Sequence, residues 1–162
     1  MFKAIAKRRN PKGFTLVELA VVIVIIGVLA AFGVPRFINS VERSKAAEAF
    51  SYLSAVRSAQ ERYQAREGTY ATDITAIDIK FAAPKYFTIG TIGPGGTSSI
   101  QDSWTLTLTR TGASAGYGAY TVTFTQDGYD ATNSTIDAVP AINPMGTDPS
   151  AGSSGSGSGS GS

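Results

Sequence analysis

Gly13-Phe14-Thr15-Leu16-Val17-Glu18, followed without interruption by the apolar run 19–34, is the stretch that decides how the rest of the chain is read. Residues 14–34 contain one ionisable group, and at a helical rise of 1.5 Å per residue they span about 31 Å, the hydrocarbon thickness of a bilayer. The stretch therefore reads as a membrane helix. Glu18 is its anomaly. A carboxylate at the centre of such a helix costs roughly 2.5–3.5 kcal/mol, less near the end, so it marks function unless something pairs with it. The bland alternative is a glutamate tolerated at the membrane interface.

Working outward toward the N-terminus, residues 1–13 form a short leader with Lys3, Lys7, Arg8, Arg9 and Lys12 and no acid. Positive residues on that side of a membrane helix hold it in the cytoplasm and send the remainder outward. An ordinary secretory signal peptide, cut near Ala30 and Ala31, is the competing reading. Glu18 fits poorly in the apolar core such a peptide needs. Of the 14 basic residues five lie in the leader, leaving nine against 12 acidic ones, so the chain beyond it is near −3. That balance argues against a nucleic-acid surface.

Lys12-Gly13-Phe14-Thr15-Leu16-Val17-Glu18, the apolar run and Pro35 together resemble the N-terminus of a type IV pilin precursor, a signal shared with the pseudopilins of type II secretion. The resemblance is specific over residues 13–34, extends along the helix beyond, and is architectural past about Gly68. It implies cleavage after Gly13 by a prepilin peptidase and N-methylation of the new N-terminal residue, Phe14. It also implies that Glu18 pairs with the Phe14 amine of a neighbouring subunit. Two buried opposite charges cost far less together than either alone, which gives that pairing a physical basis. A glycine before the cut suits close approach of a peptidase, because no side chain obstructs the scissile bond.

Gly27, Gly33 and Pro35 make the next segment the weakest part of the helix. Proline removes an i to i−4 hydrogen bond, and each glycine costs about 1 kcal/mol relative to alanine. In assembled filaments of the resembled family the matching segment loses its helix, and the same is expected here between Gly27 and Pro35. For the isolated subunit the expectation is an intact helix with at most a gentle kink.

From Phe37 onward the apolar residues Phe37, Val41, Ala46, Ala49, Phe50, Leu53, Val56 and Tyr63 recur at helical spacing. They predict one stripe packed under a head, with Glu42, Arg43, Lys45, Arg57, Glu61 and Arg62 facing outward. The outward charges are a solvated face by default and could also set subunit register. Gly68 is the expected stop, with Arg62 and Arg66 near the negative end of the helix dipole. After a loop with a helical turn near residues 73–78, the period changes to two. Residues 104–109 (WTLTLT) and 120–125 (YTVTFT) alternate strictly, with Gly112, Gly116 and Gly118 between them, and predict an antiparallel hairpin. Trp104, Leu106, Leu108, Tyr120, Val122 and Phe124 should face the helix, and the threonines outward. Residues 86–92 read as a further strand, closed by the glycines around Pro94.

The expected fold is therefore α+β: a long N-terminal α-helix, transmembrane in its first half, packed against a small antiparallel sheet. The expected organisation is leader 1–13, transmembrane and assembly half 14–35, head 36–149 and a flexible Gly/Ser tail 150–162. No cysteine is present, so no disulfide can close the head, which must close by packing, by its neighbours or by a metal. Asp127, Asp130 and Asp137 raise calcium, but they match no specifiable calcium loop, and turn-forming aspartates are the simpler reading. No metal or cofactor is expected. Without histidine or cysteine the common catalytic constellations are missing, and the seven tyrosines and eight phenylalanines read as packing.

These readings converge on a non-enzymatic building block. The main expectation is a structural subunit of a type IV pilus, polymerising as a homo-oligomer for adhesion, motility or DNA uptake. The alternative is a pseudopilin of a type II secretion system; a secreted soluble binding module is more remote. The implied partners are the prepilin peptidase and methyltransferase, an inner-membrane assembly platform, and the membrane itself before assembly. Localisation would pass from single-pass inner membrane, N-terminus cytoplasmic, to an extracellular filament.

Overall fold

A computed structural model describes residues 13–112 and 116–146. Helix α1, Leu16–Glu67, is followed by five strands: β1 Phe87–Ile89, β2 Gly93–Pro94, β3 Trp104–Arg110, β4 Thr121–Thr125 and β5 Gly128–Tyr129. Short 3-10 turns lie at Ile74–Ala76 and Thr135–Ala138. The chain divides into two compact units, 1–37 and 38–162.

The helix stays helical through Pro35, as expected for a single subunit. It stops where the sequence predicts. Gly68 adopts φ +76° and donates its N–H to the Gln64 carbonyl at 2.8 Å, a left-handed cap that favours glycine.

In the second unit, Ala46, Ala49, Phe50, Leu53, Val56 and Ala59 of α1 are buried with Trp104, Leu106, Leu108, Tyr120, Val122 and Phe124 of the sheet. Full burial of each large apolar side chain contributes roughly 1.5–3 kcal/mol, so this shared layer holds helix and sheet together. The sheet is antiparallel, in the order β1-β3-β4-β5, with β2 also on β3. The hairpin register places Leu106 opposite Phe124 and Leu108 opposite Val122, which puts the apolar residues of both strands on one face.

The segment expected as one strand over 86–92 is split. Ile89 faces Leu108 and Gly93 faces Thr105, so the edge carries one residue more than its partner and bulges between β1 and β2. At Gly90 the backbone approaches so closely that an added Cβ would lie 2.7 Å from the Thr107 carbonyl oxygen.

Four packing expectations need correction. Phe37 and Val41 were expected under the head and are 70% and 38% exposed; neither belongs to the buried core cluster. Glu42 was expected to face solvent and is buried, because Arg110 at the end of β3 reaches it. Thr123 was expected to face outward and is buried, because the chain after β5 runs alongside β4 there. Thr121 and Thr123 donate their N–H groups to the Thr135 and Ser134 hydroxyls at 2.7 and 2.9 Å, and Asp130 N–H donates to the Thr123 carbonyl. Side-chain hydroxyls thus finish an edge that β5, two residues long, leaves open.

The C-terminal segment closes by packing. Ile136 and Ile142 are fully buried, and Asn143 donates to the Asp137 carboxylate at 3.1 Å and the Tyr129 hydroxyl at 3.3 Å.

Candidate assembly segment and the buried charge cluster

Among the described residues, the first unit presents an apolar surface that stands exposed. Phe14 and Leu16 are more than 80% exposed, and the large apolar residues from Val17 through Val34 are all at least half exposed or nearly so. A contiguous surface of this kind marks a membrane or protein interaction site. Gly27, Gly33 and Pro35 sit within this exposed stretch, and a Cβ added at either glycine would meet nothing within 4 Å. Neither glycine is there to admit a neighbour from the same chain.

Gly13 is exposed and lies just outside the helix, with Phe14. Glu18 folds back on the helix start. Its Oε2 accepts from the Thr15 N–H and the Thr15 hydroxyl, both at 2.8 Å, while Glu18 N–H donates to the Thr15 hydroxyl at 3.2 Å. This is a reciprocal capping box, with Thr15 as N-cap. The expectation of Glu18 as a charge awaiting a partner leaves this capping role out. The Thr-x-x-Glu spacing ahead of an apolar run was the available signal. The carboxylate therefore has a role in the lone subunit: it satisfies donors at a helix end that would otherwise be orphaned.

A second glutamate on the same helix is treated differently. Glu42 Oε1 accepts from Arg110 Nε at 2.6 Å and from the Tyr120 hydroxyl at 3.0 Å; Oε2 accepts from Arg110 Nη2 and Lys45 Nζ, each at 3.2 Å. Arg110 also donates to the main-chain oxygens of Tyr86 and Thr111 and lies over the Tyr86 ring. The cluster is fully hydrogen-bonded, which is the condition for a tolerable buried ion pair. Burial would raise the Glu42 pKa, but the bonds from Arg110, Lys45 and Tyr120 outweigh it and hold the carboxyl below its usual value. Hydrogen bonding to Glu42 raises Arg110, while burial and the Glu42 charge push the Tyr120 phenol upward. No sequence signal linked residues 42 and 110; only the fold brings them together.

Two further polar anchors tie α1 to the loops. Gln60, fully buried, exchanges two 2.9 Å hydrogen bonds with the backbone of Ala71, and Arg57 Nε donates to the Gln126 carbonyl at 2.8 Å. The aspartates considered for calcium are each engaged in a local turn: Asp130 with Asn133, Asp137 with Asn143, Asp127 with Gln126. Among the described residues no group of three metal-ligating side chains gathers.

A model of the prokaryotic N-terminal methylation motif matches residues 8–34, and a model of pilin, a bacterial filament protein, matches residues 42–157. The chain is 37% identical over 117 residues to a type IV narrow pilus major component of Thermus thermophilus, covering 72% of this chain and 89% of that one. It is 35% identical over 106 residues to a fimbrial protein of Eikenella corrodens, covering 65% and 67%. It is also 32% identical over 78 residues to type II secretion system core protein G of Vibrio cholerae, covering 48% and 53%.

Proposed function

The chain belongs to the pilin family of bacterial filament proteins, and from that premise we propose that it is a structural subunit of a type IV pilus, used for adhesion, motility or DNA uptake. The observation that carries the reading is the helix whose first half is apolar and uncovered while its second half is the core of a folded head. Identical apolar surfaces satisfy each other when copies pack side by side, and a subunit that repeats one heterologous contact grows a filament.

In this reading a prepilin peptidase cuts between Gly13 and Phe14 and the Phe14 amine is methylated. Residues 14–35 hold the subunit in the inner membrane, N-terminus cytoplasmic, until an inner-membrane assembly platform transfers it to the filament. Cleavage removes the peptide bond before Phe14 and creates a cation four residues from Glu18. Glu18 then exchanges its Thr15 cap for the Phe14 amine of a neighbour, since an uncompensated charge in lipid is the costlier state. Loss of helix around Gly27, Gly33 and Pro35 accompanies packing, at the point where the backbone is least committed. Residues 36–149 form the displayed head.

Mass spectrometry of the N-terminal peptide from a sheared cell-surface fraction tests this. A chain beginning at methylated Phe14 is expected; one beginning near Ala31 would overturn the reading. The similarity to type II core protein G supports a second reading, a pseudopilin. It predicts the same N-terminus confined to the cell envelope, with no long filaments in the sheared fraction.

A further inference from the structure

Resting on the reading of residues 14–35 as the membrane anchor, we propose that the loop between β3 and β4, residues 111–119, seats on the phospholipid headgroup layer on the head's side of the bilayer before assembly.

Residues 111–126 read TGASAGYGAYTVTFTQ and hold no charge. The part ahead of β4 is mostly glycine, alanine, serine and tyrosine, so it can enter the boundary between headgroups and hydrocarbon without burying an ion. Thr111, Gly112, Gly116, Gly118 and Ala119 are exposed. Gly116 adopts φ +84° and Gly118 φ +66°, so the chain on either side of Tyr117 follows a path that favours glycine and brings few side chains of its own.

One contact fixes where this loop lies. Tyr117 is half-buried, and its hydroxyl donates to Asn39 Oδ1. Asn39 is the fifth residue beyond Val34, where the apolar run ends, and belongs to the same helix. Five residues of helix rise about 7.5 Å. A bilayer is about 30 Å thick without its headgroups and about 40–45 Å with them, which leaves a polar layer of about 5–8 Å on each side. A chain anchored through residues 14–34 therefore brings Asn39, and Tyr117 with it, to headgroup level. Tyrosine is favoured at that level, because its ring is apolar while its hydroxyl stays wet.

Arg43 lies one turn beyond Asn39 on the same face of α1 and makes no ion pair among the described residues, whereas Glu42 is turned into the head. It offers a long, cationic side chain to lipid phosphates. The loop at residues 100–102 is out of their reach. Tyr70 N–H donates to the Ile100 carbonyl, which ties that loop to the chain just past the end of α1, and α1 runs about 42 Å beyond Asn39 before it ends at Glu67.

The chain has no cysteine, so single cysteines carry a nitroxide label without background. The full chain, labelled at Ala119→Cys, Gln101→Cys or Val28→Cys, is reconstituted into phosphatidylethanolamine and phosphatidylglycerol vesicles. Collision rates are then measured with oxygen, which partitions into lipid, and with a nickel chelate, which stays in water. The oxygen-to-nickel ratio at residue 119 should be several-fold higher than at residue 101 and lower than at residue 28. Thr111→Cys, also exposed, replaces Ala119→Cys should that variant fail to fold. Equal ratios at 119 and 101, with residue 28 in lipid, overturn the seat and leave the anchor intact. A water-exposed label at residue 28 overturns the anchor, and the seat falls with it.

Discussion

Glu18 and Glu42 occupy the same helix, and the two compact units use them in opposite ways. Glu18 stands in an apolar, exposed stretch and, among the described residues, bonds within its own first turn. Glu42 is enclosed by a sheet and tied to Arg110, 68 residues away, to Tyr120 and to Lys45. One carboxylate has its partners by local spacing; the other has them by tertiary folding. The comparison teaches that an acid conspicuous in the sequence can be cheap in the lone subunit, whereas an unremarkable one can be the most committed charge in the head.

The largest expected effect breaks the comparison at Glu18. Glu18→Leu should abolish surface filaments, read by immunoblot of the sheared fraction, while the thermal unfolding of the detergent-solubilised chain stays near wild type. Wild-type filament levels would remove Glu18 from assembly. The next tests Glu42 from the other side: Arg110→Ala should destabilise the head by about 3–5 kcal/mol, because it leaves a buried carboxylate unpaired. Denaturant unfolding measures it, and the double variant Glu42→Leu, Arg110→Met should recover most of the loss. Gln60→Ala should cost about 1–3 kcal/mol, since the Ala71 N–H and carbonyl lose both partners where they are buried. Protection of the Ala71 amide in hydrogen exchange should fall with it.

The smallest effect is on pH dependence. Glu42 ionises more readily folded than unfolded, so the unfolded chain binds the extra proton and stability declines as pH falls through and below the ordinary carboxyl value of 4.5. Tyr120 is shifted up, so above pH 10, its ordinary value, the unfolded chain releases a proton that the folded chain keeps, and stability falls again. Glu42→Gln should flatten the acid limb of a stability-against-pH curve. An unchanged limb would mean that Glu42 is not the group responsible.

Much of the architecture was legible because it follows from short-range rules. The period of three to four over 46–59, the strict alternation in 104–109 and 120–125, and Gly68 as a helix stop all translated into observed elements. Reading failed where a residue's environment is supplied from a distance. Phe37 fits the helical stripe, yet the stripe is covered only where the sheet reaches. Thr123 fits the outward face of its strand, yet a later segment covers it. The bulge at Gly90 had no signal beyond a glycine near a strand, whereas the capping box at Thr15 and Glu18 is carried by the Thr-x-x-Glu spacing itself.

The sequence by itself determined that the chain carries a membrane-length apolar helix with one acid, that this helix continues into an amphipathic half ending at Gly68, and that a threonine-rich hairpin follows. These properties depend on hydrophobic periodicity and backbone preference, which act over a few residues. Tertiary structure alone decided that Glu42, Arg110 and Tyr120 meet, that Gln60 holds Ala71, and that hydroxyls of Ser134 and Thr135 complete the edge of β4. Such pairings join residues separated by 11 to 78 positions, and their energies depend on which groups lose water together, a quantity that exists only once the chain has closed.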